Sequence, residues 1–195
     1  IVGGLAGDAL TTGSYNVAIG KSALSTEDAH GYNVAVGYQA LANLNAGEDA
    51  YNIGVGYNAG VELTTGVRNT IIGGLAGDAL TTGNYNVALG YAALSTEDGH
   101  GANVAIGYAS LATLNAGGDA FNTAVGYSAG GNMSTAIRNT VIGGLAGGAI
   151  TTGADNTFLG YNAGSSATIG NSNVAIGQGA LETNVAADKN VAVGY

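Results

Sequence analysis

The sequence predicts an all-β chain: a parallel β-solenoid of short coils stacked into a rod. Three observations predict it. A five-residue motif recurs at nearly constant spacing, a glycine closes every copy, and the residues between them alternate as a strand does. The 195 residues include 36 glycines, no proline and no cysteine, and they are 46% apolar but only 9% charged. Disordered chains combine high charge with few apolar groups, and collagen needs glycine at every third position with abundant proline, so both classes are excluded. Without cysteine there is neither a disulfide framework nor a thiolate metal site.

The motif Asn-(Val/Thr/Ile)-x-(Ile/Val/Leu)-Gly begins at Asn16, Asn33, Asn52, Asn69, Asn86, Asn103, Asn122, Asn139, Asn156, Asn173 and Asn190. Three spacings of 17 and one of 19 make a 70-residue super-repeat: 1–70 recurs as 71–140 with 48 of 70 positions identical, and 141–195 is a partial third copy. The whole chain therefore reads as one solenoid segment. It begins in mid-pattern at Ile1-Val2-Gly3-Gly4 with no basic leader, as a fragment of a longer fibre would.

Each position of the unit has a physical reading. The residue after Asn is β-branched, as in Val17, Val34 and Ile53, and the one two further on is aliphatic, as in Ile19, Val36 and Val55. This alternation predicts a short strand burying those two positions. The middle position is small in most coils, but Ile71, Val141 and Phe158 occupy it in others, so the second face is partly covered as well. The glycine that follows marks a corner, and the alanine three residues later (Ala23, Ala40, Ala59) marks a tight interior spot. A variable segment then runs to a second turn at glycines such as Gly13, Gly66, Gly83 and Gly153. Each coil should thus hold two strands and two turns. Coils about 4.8 Å apart would make a rod of roughly 50–55 Å. The recurring Asn forms a structural ladder, either bonded along the axis or satisfying its own turn.

Two aromatic rows follow the same period. Tyr38, Tyr57, Tyr91, Tyr108, Tyr127 and Tyr161 come after the corner glycine and are the candidate surface-binding residues. Tyr15, Tyr32, Tyr51, Tyr85 and Phe121 precede the Asn. Stacked rows could carry sugar rings, and they could equally be ladder packing at a corner or subunit interface. Glu27-Asp28-Ala29-His30 recurs as Glu97-Asp98-Gly99-His100 and reads as a solvated loop rather than a metal site. The two extra residues of the 19-residue coils, near Glu48-Asp49 and Asp119, should bulge outward. Arg68 and Arg138 are placed to pair with acids on a neighbouring coil or chain.

No catalytic constellation, cofactor loop or metal motif is present, so no enzymatic activity, cofactor or metal is expected. A net charge of −9 argues against nucleic acid as a partner. No run of about 18 apolar residues argues for membrane insertion. Thin coils, nearly half apolar and poor in charge, predict association with further copies of the chain. The paired threonines Thr11-Thr12, Thr64-Thr65, Thr81-Thr82 and Thr151-Thr152 are too sparse for the flat array that ice binding needs.

The units Asn33-Val-Ala-Val-Gly-Tyr-Gln-Ala-Leu41, Asn103-Val-Ala-Ile-Gly-Tyr108 and Asn156-Thr-Phe-Leu-Gly-Tyr-Asn-Ala-Gly164 resemble the repeats of bacteriophage tail-fibre-like proteins and large bacterial surface proteins. They are also similar to the head coils of YadA-like trimeric autotransporter adhesins, although those coils are shorter and carry serine after the Asn. The resemblance implies a left-handed β-roll, a homotrimer that could elongate end to end, and an extracellular, cell-surface or virion location. Its implied function is that of a structural or adhesive fibre presenting a host- or surface-binding region, with cell-surface glycans as possible ligands. The alternative is a glycan-binding or ice-binding solenoid.

Overall fold

The computed structural model describes residues 1–195. Eleven three-residue strands form one parallel sheet in sequence order: β1 Val17–Ile19, β2 Val34–Val36, β3 Ile53–Val55, β4 Thr70–Ile72, β5 Val87–Leu89, β6 Val104–Ile106, β7 Thr123–Val125, β8 Thr140–Ile142, β9 Thr157–Leu159, β10 Val174–Ile176 and β11 Val191–Val193. Equivalent residues pair in register, as Val17 with Val34 and Ala18 with Ala35, and a single parallel bridge from Val2 to Ile19 adds the first coil. The chain is a β-solenoid and contains no helix.

Each coil carries one strand, not two. The rest of the coil is a string of turns whose residues alternate into the left-handed region, as at Gln39 (φ 52°), Leu41 (φ 49°) and Tyr32 (φ 63°). An extended strand cannot form through such a series, but inter-coil hydrogen bonding continues along it. Leu24 N donates to Ala40 O and Thr64 N to Thr81 O, and bonds of this kind recur from coil to coil. The turns therefore share with the strands in holding the coils together.

The strand faces are reversed from the sequence expectation. In β1 through β10 the middle residue is the buried one, while the β-branched and aliphatic residues flanking it point outward. Thinness is the reason. A 17-residue coil encloses room for one mid-strand side chain beside the leucines of the turns, so alanine is what fits there. The large exceptions have compensations. Where Ile71, Val141 or Phe158 occupies the middle, the turn position that is Leu41 or Leu111 elsewhere is Gly77, Gly147 or Gly164. A Cβ on Gly147 would come within 2.8 Å of Val141 Cγ1, and one on Gly164 would collide with the Phe158 ring. These coils trade one position against the other; where both positions are small, at Gly54 with Gly60 and Ala124 with Gly130, Leu41 and Leu111 of the preceding coil reach into the space at the turn.

The corner glycine has the expected cause. Gly3 sits at φ +130°, and a Cβ there would come within 2.7 Å of the Gly20 carbonyl in the next coil. Both the conformation and the close stacking exclude a side chain. The alanines three residues on, among them Ala23, Ala40 and Ala59, are fully buried as expected.

Candidate functional site

The Asn ladder is continuous. The Oδ1 of each Asn accepts from the backbone N–H of the next, from Asn33 N to Asn16 at 2.9 Å through Asn190 N to Asn173 at 3.0 Å. The Nδ2 donates to a turn carbonyl 14 residues ahead, as Asn52 to Gly66 O and Asn69 to Gly83 O, both at 2.8 Å. Asn33 and Asn103, which precede the 19-residue coils, donate instead to the Gly31 and Gly101 carbonyls, as the last of the row, Asn190, does to Asp188 O. The two roles read as alternatives in the sequence are performed together, one by each end of the amide. From Asn33 through Asn173 these side chains are buried, so they hold the roll together and present nothing to a ligand.

Outside the sheet corner, the candidate tyrosines stack. Ring centroids lie 5.4 Å apart for Tyr38 and Tyr57, 5.6 Å for Tyr91 and Tyr108, and 5.3 Å for Tyr108 and Tyr127, with planes within 13° of parallel. Lys21 Nζ caps the first of these stacks, 5.9 Å from the Tyr38 ring centre. The leading row stacks too, with Tyr15, Tyr32 and Tyr51 at 4.9 and 4.8 Å. The Tyr32 phenol is pushed above its usual pKa, first by desolvation and then by Tyr51, Tyr15 and Asp49. In the candidate row, stacking turns one or both faces of every ring but Tyr161 toward another ring. Faces of this row that meet no ring border its interruptions, at Lys21, Gly74, Gly144 and Gln178.

The Glu-Asp-His clusters differ from the solvated loop expected. Glu27 and Glu97 are fully buried. Glu27 Oε1 accepts from His30 N at 3.1 Å and Oε2 from Ala46 N at 3.4 Å, and Glu97 makes the equivalent bonds to His100 and Ala116. Glu27, Asp28 and His30 bring one potential ligand atom each within 4.8 Å of one another, as do their equivalents. Both glutamate oxygens already accept from backbone N–H groups, and their work is to close the turn before the 19-residue coil. That coil bulges as expected: Gly47 and Gly117 face open space, and Asp49 and Asp119 tie back to Gly31 N and Gly101 N.

Arg138 forks onto Asp155 of the next coil at 2.6 and 2.9 Å. Its hydrogen bonds hold the Asp155 carboxyl below the usual carboxylate range. Arg68 meets no acid, because Tyr85 stands at the equivalent place; its guanidinium lies 5.6 Å from that ring centre and bonds the phenol oxygen. The Thr64, Thr81 and Thr151 hydroxyls donate to carbonyls one coil away, so these threonines also fasten coils.

The feature that sequence reasoning missed is the outward face of the sheet. Its two ranks, beginning with Val17 and Ile19 and ending with Val191 and Val193, hold only Val, Ile, Leu and Thr on all eleven strands. Residues along it are exposed to 41% at Ile19 and 42% at Leu89. Its signal was parity: the Asn is buried, so the residue directly after it must face out.

No protein-family model matches the chain, and neither a curated protein nor a solved structure matches it. No helix is long and apolar enough to cross a membrane.

Proposed function

We propose that this chain is a segment of a structural fibre whose copies associate, as a homotrimer, through the outward face of the sheet. One observation carries the reading: an uncharged strip of Val, Ile and Leu, broken only by Thr70, Thr123, Thr140 and Thr157, runs along all eleven strands. At about 4.8 Å per coil and two residues across, it covers on the order of 500 Å², near the upper end of the patches found on monomers. Packing three such strips about one axis removes each from water without strand-edge pairing. The trimeric order and the phage-fibre or bacterial-surface setting follow from the resemblance of the repeats to fibre proteins. The role is mechanical: continuous hydrogen bonding along the axis and a shared apolar seam resist shear. The tyrosine row, carried around the corner by the glycine, stays at the rim as a surface for partners.

Size-exclusion chromatography with light scattering tests this. The chain should run as a trimer at micromolar concentration, and Leu89→Lys with Ile106→Lys should give a folded monomer, because both side chains already face outward. A wild-type monomer refutes the proposal.

A further inference from the structure

The tyrosine row points to a ligand site where it is broken. At Gly74 and Gly144 the following ring leans back over the missing side chain, with Tyr91 Cδ2 3.5 Å and Tyr161 Cδ2 3.4 Å from where a Cβ would lie. At Gln178 the outcome differs. The interruption there is the one pocket on the molecule, about 200 Å³, lined by Tyr161, Asn162, Gln178, Gly179, Glu182 and Tyr195. Tyr161 and Tyr195 stand two coils apart, so coil spacing separates their backbones by about 10 Å. One further ring fits between them at the 5.3–5.6 Å spacing of the intact ladder.

We propose that this gap binds a single neutral or amino sugar ring, sandwiched between Tyr161 and Tyr195. The site is smaller than a typical drug-sized pocket, in keeping with a single ring, and like small-molecule sites it pairs apolar walls with a few convergent polar groups. Here the walls are two phenol rings suited to the C–H faces of a pyranose. The floor and rim supply the amides of Asn162 and Gln178 and the carboxylate of Glu182, none of which bonds another side chain. A bare aromatic ring in the gap would leave those groups unmatched, whereas sugar hydroxyls can donate to all three and accept from the two amides. The Glu182 charge and the net charge of −9 disfavour sialic acids and sugar phosphates and favour an amino group. The site lies around the corner from the apolar strip and does not depend on self-association.

Saturation-transfer NMR on the whole chain, with methyl mannoside, methyl galactoside, methyl glucoside and glucosamine as probes and sialic acid as the anionic control, tests the proposal. At least one of the four should receive saturation, and sialic acid should not. Gln178→Tyr completes the ladder and should weaken the positive probe at least tenfold while the far-ultraviolet circular dichroism stays that of the wild type. Tyr161→Ala should weaken it similarly. Saturation of none of the four at millimolar concentration, or unchanged binding in Gln178→Tyr, overturns the site. Light scattering on the same samples reports self-association separately, so either reading can fail alone.

Discussion

Exchanging the two halves of the volume trade in one coil tests how the core is specified. Phe158 fills the middle of β9, and Gly164 makes room for its ring. Truncation by Phe158→Ala empties a fully buried site and should cost about 3–5 kcal/mol. Gly164→Leu alone forces a side chain into the ring, with Cγ of Phe158 only 2.7 Å from the new Cβ. Overpacking of about 1–3 kcal/mol and left-handed strain of about 1–2 kcal/mol should then combine. The double variant recreates the Ala35–Leu41 and Ala105–Leu111 pairings, in which leucine holds φ of 49° and 47°. It should retain only the strain, so the coupling is at least about 4 kcal/mol. At roughly 2–4 °C per kcal/mol for a chain of this size, Phe158→Ala should lower Tm by roughly 6–20 °C. The double variant should recover to within about 8 °C of wild type in the same circular-dichroism melts. A double variant as unstable as the two singles summed would refute the volume trade.

The Asn ladder makes a second prediction. Asn69→Ala leaves Asn86 N–H and Gly83 C=O unpaired, and should cost about 2–4 kcal/mol and speed exchange of the Asn86 amide. Wild-type exchange at Asn86 would overturn the ladder's role. A third concerns pH. Asp155, held low by Arg138, contributes stability above the ordinary Asp value of about 3.9 that is lost as pH falls through its lower folded value. Asp78 is pushed the other way by burial, so its protonation on acidification favours the folded state. NMR titration should place Asp155 below Asp78, and Arg138→Gln should return Asp155 toward the ordinary value; an unshifted Asp155 refutes the pairing.

The solenoid, its period and the ladder positions were legible because repetition reports each constraint many times over. An Asn or a corner Gly that never varies through the coils is its own control. The buried Glu27 was not legible, since adjacent acids look solvated until the turn folds and backbone N–H groups converge on one of them. Nor was the role of Arg68, which depends on Tyr85 rather than an acid standing one coil away.

By itself the sequence determined a stack of 17- and 19-residue coils with a parallel strand after every Asn, because period and spacing are properties of the chain. Only the tertiary structure decided which strand face is inside. Two faces of alternating residues are equivalent in one dimension. The choice between them falls to the width of the coil, where leucines from the turns already fill the space and admit little more than an alanine. That decision turns the β-branched residues outward, and with them the surface on which the proposed assembly rests.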